Sequence, residues 1–135
     1  MISNLMLIDD NDLDQKMCAR LIQRSGLVGE VHGFLMAEDA LDFLAEDAAP
    51  RIDAILLDIN MPRMDGFEFL DAAATRLGDR FQEIPVFMLS TSEACTDKAQ
   101  ARDYDMVRGF FGKPLDSSRL ARLAEIVERE GPATG

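Results

Sequence analysis

The sequence is poor in basic residues. It has 14 lysines and arginines against 25 aspartates and glutamates among its 135 residues, so its formal net charge is −11. Because proteins bind the phosphates of nucleic acids through basic faces, we predict no nucleic-acid partner. A solvated acidic surface accounts for most of this charge, and a cation-binding site is one use for the remainder.

Cysteine is also scarce, with only Cys18 and Cys95. The two residues match neither the CxxC spacing of redox and metal sites nor a dense disulfide framework. Both lie in helix-like stretches, which is typical of buried, reduced thiols. We therefore predict a cytoplasmic location.

Long apolar runs are absent as well. No run approaches the ~20 residues that a membrane span needs, so we predict no membrane partner. The N-terminal segment lacks a basic region and runs into Asp9-Asp10, which indicates a strand rather than a signal peptide. The length suits one domain. We predict that this domain covers residues 1–130 and that residues 131–135 form a flexible tail.

An apolar segment that ends on an aspartate stands at the centre of the sequence. Residues 54–57 (AILL) show no polar alternation, which predicts a strand buried on both faces. Asp58 ends this strand, and residues 61–66 (MPRMDG) indicate a turn. Open α/β sheets bind ligands at the carboxyl ends of their strands, where Asp58 would lie. A strand-capping aspartate is the alternative for this residue taken alone.

Strands and helices alternate five times along the chain. Apolar runs predict strands near residues 5–8, 31–34, 54–58, 85–89 and 109–111. Apolar residues spaced three and four apart predict helices at about residues 12–25, 38–44, 66–77 and 117–127. Residues 92–103 also look helical but have few large apolar side chains, so we expect a loosely packed helix there. Asn11 or Asp12 would cap the first helix and Asp116 or Ser117 the last, with Gly26 ending the first. We predict a flavodoxin-like α/β fold, a doubly wound five-stranded parallel sheet in the order 2-1-3-4-5 with five helices.

Polar residues follow four of the predicted strands. They are Asp9-Asp10, Asp58, Ser90-Thr91 and Lys113. All would meet at one edge of a parallel sheet, where the clustered carboxylates would repel one another unless a hard cation such as Mg²⁺ relieved the repulsion. Asp58 would then be able to act as a nucleophile toward phosphorus, with Lys113 and the Ser90 hydroxyl binding phosphoryl oxygens. Each of these residues or pairs alone is typical of an ordinary helix cap or loop. Together, in this order and each at the carboxyl end of a strand, they indicate a site.

These segments resemble the receiver domains of two-component response regulators, from about residue 5 to residue 127. The resemblance rests on Asp9-Asp10, on Asp58 within LLDINMPRMDG, on Ser90 closing VFMLS, and on Lys113-Pro114. It implies a chemotaxis-type single-domain regulator that is not an enzyme. Such a protein accepts a phosphoryl group on Asp58 from a histidine kinase or a histidine phosphotransferase.

The resemblance also implies the ligands of a metal ion. Asp10, Asp58 and the backbone carbonyl of Asn60 would bind Mg²⁺, with Mn²⁺ as a substitute, and Asp9 would act mainly through water. Lys113 and Ser90 would bind the phosphoryl oxygens.

Ser90 and Phe110 are the switch residues that the resemblance implies. In the family, the hydroxyl moves toward the phosphoryl group and the aromatic side chain turns inward behind it. Many members carry Thr and Tyr at these two positions. Phe110 has no hydroxyl for a polar contact outside, and Ser90 lacks the methyl group that restricts rotamers, so we predict a softer switch.

The same resemblance suggests two partner surfaces. The predicted fourth helix, fifth strand and fifth helix would form the output face toward a downstream protein target, in a monomer or weak homodimer. Arg102, Arg108 and Arg119 would lie around that face, although a solvated charged face is an equal alternative. Leu13 and Met17 on the first helix would either dock a kinase or belong to the core, and we favour the core for Met17.

Three other identities are alternatives to a stand-alone receiver. A receiver cut from a longer regulator, with a DNA-binding or enzymatic output domain, is the nearest alternative. A phosphatase of the haloacid dehalogenase type needs a second aspartate as general acid where this sequence has Asn60, and an amide cannot donate that proton. A flavodoxin-like flavin carrier is disfavoured because Asp9-Asp10 would repel the flavin phosphate.

Overall fold

The sheet has five parallel strands in the order β2-β1-β3-β4-β5, in a computed structural model that describes residues 2–46, 50–61, 63–90, 95–113 and 115–130. The strands are β1 (Ile2–Ile8), β2 (Val28–Phe34), β3 (Ala54–Asp58), β4 (Val86–Ser90) and β5 (Val107–Gly112). The helices are α1 (Asp12–Ser25), α2 (Ala37–Ala45), α3 (Gly66–Leu77), α4 (Asp79–Gln82), α5 (Cys95–Ala101) and α6 (Ser117–Glu130). The predicted flavodoxin-like strand order is confirmed.

The two central strands, β3 and β4, are buried along their whole length. Strand β3 pairs with β1 and β4, so that Leu57 lies beside Ile8 and Asp58 beside Leu89. One apolar cluster packs between the sheet and α2 and α3, and a second packs between the sheet and α1 and α6. Because both faces are covered, the polar residue that ends β3 is presented at the edge of the sheet.

Side-chain caps begin three of the helices. Asn11 accepts a hydrogen bond from the backbone N–H of Asp14 at 3.0 Å, so Asn11 rather than Asp12 caps α1. Asp65 and Glu68 form a reciprocal capping box at the start of α3. Asp116 accepts from the N–H of Arg119 at 2.8 Å and caps α6. Helix α1 ends at Gly26, whose φ of 73° is in the left-handed region, as predicted.

The structure has six helices among its described residues, where the sequence analysis expected five. The additional helix, α4, is a single turn between α3 and β4. The side chain of Phe81 is fully buried there, and the N–H of Ile84 donates to the carbonyl of Phe81 at 3.0 Å. One buried aromatic residue is enough to hold such a turn against the core, but it is too short to produce a helical period in the sequence. Strands β1, β2 and β5 are also longer than expected.

The buried face of α1 is narrower than expected. Met17, predicted to lie in the core, is 60% exposed, and Leu13 is 66% exposed. The side turned to the sheet carries Cys18 and Ile22, and residues in the helix on the opposite side face solvent. Cys18 is therefore a half-buried free thiol rather than a fully buried one.

Some predicted features fall outside the part of the chain that the structure describes. They are Thr91, the first residues of the helix predicted at 92–103, the side chain of Cys95, Pro114, and residues 131–135, predicted to form a flexible tail. Among the helices that are described, none has both the length and the apolar character of a membrane span.

Candidate functional site

The strand ends of the sheet bring together the side chains that the sequence analysis singled out. Asp9 follows β1, Asp58 ends β3, Ser90 ends β4 and Lys113 follows β5. Strand pairing aligns these ends, and the backbone N–H of Lys113 donates to the carbonyl of Ser90 at 2.8 Å. Asp9, Asp58 and Ser90 are buried, at 1%, 3% and 0% exposed. The predicted convergence at one edge of the sheet is therefore present.

Lys113 is the centre of the charge network at this edge. Its Nζ lies 2.9 Å from Asp9 Oδ2 and 3.3 Å from Asp58 Oδ2. A third carboxylate, Asp14 Oδ2 on α1, lies 3.4 Å from the same nitrogen. Asp14 was not singled out from the sequence, because its reach depends on how α1 is rotated against the sheet.

Burial raises the pKa of Asp58 to about 6, from an ordinary value of 3.8. The nearby negative charge of Asp9 acts in the same direction, whereas Lys113 and the N–H of Asn60, which donates to Asp58 Oδ1 at 3.2 Å, oppose it. For Lys113, burial disfavours the charge, but the hydrogen bond from its Nζ to Asp9 and the charge of Asp58 outweigh burial and raise its pKa. At pH 7 the site thus holds an ionised lysine and a mostly ionised Asp58.

Three carboxylates at this edge can hold a cation together. Asp9, Asp10 and Asp58 each offer an oxygen, and these oxygens lie within 4.8 Å of one another. Asp10 is exposed, and it lines an open cleft of about 340 Å³ with Asp58 and Asn60. A set of carboxylate oxygens beside open solvent fits Mg²⁺ or Mn²⁺, which prefer oxygen ligands and retain water.

Hydrogen bonds to the backbone hold the acidic residues in place. Asp9 Oδ1 accepts from the N–H of Asn11 at 3.0 Å, while the Asp9 N–H donates to the Phe34 carbonyl at 3.1 Å. Gln15 Nε2 on α1 donates to the carbonyls of Phe34 and Asp9, at 2.7 and 3.4 Å. Gln15 thereby ties α1 to the ends of β1 and β2, a role that the sequence analysis missed because an isolated glutamine carries no motif.

A glycine makes the turn after Asp58 tight. The N–H of Gly66 donates to the carbonyl of Ile59 at 2.9 Å. A Cβ at Gly66 would lie 3.0 Å from Ile59 Cα and 3.1 Å from the Asp58 carbonyl oxygen, so a larger residue would force the backbone around Asp58 and Ile59 to shift. This close approach explains the Asp-Gly at the end of the MPRMDG segment. Pro62 of that segment lies outside the described residues.

The two phenylalanines of β5 have different surroundings. Phe111 is buried and stacks on Phe87 of β4, with the ring centroids 6.1 Å apart. Phe110 is half-buried and carries Lys98 of α5 over its ring, with Nζ 5.8 Å from the centroid. Ordinary strand packing therefore accounts for Phe111, while Phe110, the predicted switch residue, lies between β5 and α5.

A known family model matches most of the chain. Residues 5–125 match the profile of the response regulator receiver domain. The chain is 29% identical over 129 residues to a probable methanogenesis regulatory protein, FilR2, of Methanothrix harundinacea, covering 92% of this chain and 80% of that protein. It is 27% identical over 132 residues to hybrid signal transduction histidine kinase L of Dictyostelium discoideum, covering 97% of this chain but 7% of the kinase.

Solved structures show the same architecture. A two-component response regulator from Cytophaga hutchinsonii superposes with a TM-score of 0.87 at 28% identity, covering 95% of this chain and 98% of that one. The chemotaxis protein CheY4 of Vibrio cholerae superposes with a TM-score of 0.78 at 27% identity, covering 94% and 99% of the two chains.

Proposed function

The chain belongs to the family of response regulator receiver domains, and on that premise we propose that it is a phosphoacceptor switch. Asp58 takes a phosphoryl group from the phosphohistidine of a histidine kinase or a histidine phosphotransferase. One observation carries this proposal. Asp58 is a buried carboxylate at the carboxyl end of β3, 3.3 Å from the Lys113 ammonium, and it lines an open cleft.

The transfer step uses Asp58 as the nucleophile. A carboxylate oxygen forms a bond to phosphorus while the bond from phosphorus to the imidazole nitrogen breaks. The products are an acyl phosphate on Asp58 and a histidine that takes up a proton. Lys113 offers its positive charge to the phosphoryl oxygens, and the hydroxyl of Ser90, at the adjacent strand end, offers a hydrogen bond. The protein therefore acts as a signalling phosphoacceptor rather than as an enzyme on an external substrate.

The acidic residues of the cleft are the proposed ligands of Mg²⁺ or Mn²⁺. Asp10, Asp58 and the backbone carbonyl of Asn60 would hold the ion, and Asp9 would act mainly through water. When bound, the ion offsets the charge of the carboxylates and permits a phosphoryl dianion to approach Asp58. The support is the spacing of the carboxylate oxygens, all within 4.8 Å of one another.

We propose that the signal leaves through the face formed by α5, β5 and α6, the fourth helix, fifth strand and fifth helix of the sequence analysis. Ser90 and Phe110 are the proposed switch residues, and the position of Phe110 between β5 and Lys98 of α5 supports a link between the site and this face. A downstream protein target would bind there, whether the chain is a monomer or a weak homodimer. A cytoplasmic location follows from a kinase partner.

Whether this domain acts alone or within a longer protein is a separate question. The chain spans most of FilR2 but only 7% of the hybrid kinase, so relatives use this domain both as a large part of a protein and as one segment of a long one. A stand-alone switch is our proposal. A receiver within a longer regulator performs the same phosphoryl chemistry at Asp58, and so the test below applies to both.

Intact-protein mass spectrometry tests the proposed chemistry. The protein is incubated with acetyl phosphate in Mg²⁺ or in EDTA, beside Asp58→Asn and the control Asp12→Asn, an exposed carboxylate paired with Lys16. We expect one phosphoryl mass gain in wild type and Asp12→Asn with Mg²⁺, and none in EDTA or in Asp58→Asn.

A gain that persists in Asp58→Asn would contradict the assignment of Asp58. If no gain occurs under any condition, two further measurements test the proposal. One is a Mg²⁺ titration monitored by thermal unfolding, and the other is phosphoryl transfer from a phosphorylated kinase. Stabilisation by Mg²⁺ with transfer from the kinase supports the proposal, and the absence of transfer contradicts it.

A further inference from the structure

Lys113 contacts three carboxylates, and one of them, Asp14, has no role in the proposed phosphoacceptor function. The lysine ammonium has three N–H donors. Asp9, Asp14 and Asp58 lie 2.9, 3.4 and 3.3 Å from its nitrogen, so three carboxylates share these donors. A phosphoryl group on Asp58 needs at least one of these donors. A phosphoryl group on Asp58 therefore competes with these carboxylates for the lysine.

The three contacts differ in what holds them. Asp9 makes the shortest contact, and its side chain is 2% exposed. Asp58 is buried and is itself the residue that would be modified. The Asp14 side chain is 44% exposed and makes the longest contact, from the first turn of α1. Exposed ion pairs contribute little free energy because water screens them, so the contact to Asp14 costs the least to break.

We propose that Asp14 is a positioning residue that restrains Lys113 before phosphorylation and releases it to the phosphoryl group. This inference rests on the proposed phosphoacceptor function. Before phosphorylation, Asp14 draws the lysine toward α1 and occupies one of its donors. Asp14 and Asp58 line the same cleft. After phosphorylation, the Asp14 carboxylate would therefore face the phosphoryl dianion on Asp58 and repel it. Asp14 thereby lowers the affinity of the site for a phosphoryl group.

Asp12 provides a matched control for Asp14. Both carboxylates lie in the first turn of α1, so replacing either by asparagine changes the net charge equally and removes a similar interaction with the helix dipole. Asp12 pairs with Lys16 at 3.1 Å instead of with Lys113. The chain has only three lysines, Lys16, Lys98 and Lys113, so their ammonium signals can be separated by nitrogen-15 NMR.

The first experiment needs neither metal nor phosphate. Lysine ammonium spectra of the metal-free protein are recorded for wild type, Asp14→Asn and Asp12→Asn, with the Lys113 signal identified by its loss in Lys113→Met. We expect Asp14→Asn to shift the Lys113 signal and to speed its exchange with water, and Asp12→Asn to change Lys16 only. A Lys113 signal that is the same in Asp14→Asn and wild type would overturn the restraint.

The second experiment measures affinity for beryllofluoride, a mimic of the phosphoryl group, at Mg²⁺ concentrations that saturate each variant. We expect Asp14→Asn to bind it about threefold more tightly than wild type, since one exposed ion pair and one repulsion are removed, and Asp12→Asn to show no comparable gain. Equal or weaker binding by Asp14→Asn would overturn the proposal. Wild type that binds no beryllofluoride and gains no phosphoryl mass would overturn the phosphoacceptor function as well. If wild type binds beryllofluoride and Asp14→Asn binds it no more tightly, only the role proposed for Asp14 is overturned.

Discussion

Two aspartates at opposite ends of β3 show what an aspartate does in two different environments. Asp53 lies just before the strand, and its Oδ2 accepts hydrogen bonds from the N–H groups of Ser3 and Asn4, at 3.1 and 3.0 Å. The N–H of Asp53 also donates to the carbonyl of Asn4 at 2.9 Å. Asp53 therefore joins the start of β1 to the start of β3.

Asp58, at the other end, is surrounded by charge. Its carboxylate is buried, faces Lys113, and lies near the carboxylates of Asp9 and Asp10. Burial and the charge of Asp9 raise its pKa to about 6. The same residue type thus stabilises the fold at one end of the strand and costs free energy at the other. A cost of this kind fits the nucleophile proposed at Asp58.

Of the variants considered, Lys113→Met should change the free energy of unfolding the most. In Lys113→Met, Asp9 and Asp58 would be buried without their cation, and we expect the free energy of unfolding to fall by about 3 kcal/mol at pH 7.5. Urea unfolding of the metal-free protein measures the change. Lys16→Met, which breaks only the exposed pair with Asp12, should change stability by less than ~0.5 kcal/mol. Equal losses in the two variants would show that Lys113 does not balance the buried charges.

Asp58→Asn should stabilise the metal-free protein by about 2 kcal/mol at pH 7.5, because it removes a carboxylate whose ionisation burial opposes. The pKa of Asp58 is raised in the folded state, so stability is lost as the pH rises from about 4 through 6 and then levels off. The gain in Asp58→Asn should therefore be near zero at pH 4 and complete above pH 7. Urea unfolding across this range checks the prediction, and a gain that does not depend on pH would contradict it.

Asp53→Asn should have the smallest effect, and it should destabilise the protein, whereas Asp58→Asn stabilises it. The amide oxygen still accepts a hydrogen bond but lacks the charge, so we expect a loss of about 1 kcal/mol at pH 7.5. Phosphorylation by acetyl phosphate should be unchanged. A clear loss of phosphorylation in Asp53→Asn would remove the distinction between the two ends of β3.

The sequence predicts the parts of the site that depend on strand order alone. Asp9, Asp58 and Lys113 each follow an apolar run, and a parallel sheet brings such positions to one edge whatever the details of packing. The turn after Asp58 is predictable for a similar reason, since an Asp-Gly pair allows the close approach seen at Gly66.

The parts that depend on helix rotation could not be predicted. Several faces of α1 have three-and-four spacing, and the sequence analysis favoured the core for both Met17 and Cys18, whereas the structure turns Cys18 and Ile22 to the sheet and Met17 to solvent. The same rotation brings Asp14 to Lys113 and Gln15 to the ends of β1 and β2. Side chains on a helix reach a site only through tertiary packing, which local periodicity does not determine.

The most direct test of the account is to locate the phosphoryl group. The protein is treated with acetyl phosphate and Mg²⁺, then reduced with borohydride, which converts an aspartyl phosphate to homoserine, and its peptides are sequenced by tandem mass spectrometry. The account predicts homoserine in place of Asp58 alone, and none when EDTA replaces Mg²⁺. Homoserine in place of Asp53, Asp9 or Asp10, with Asp58 unmodified, would contradict it.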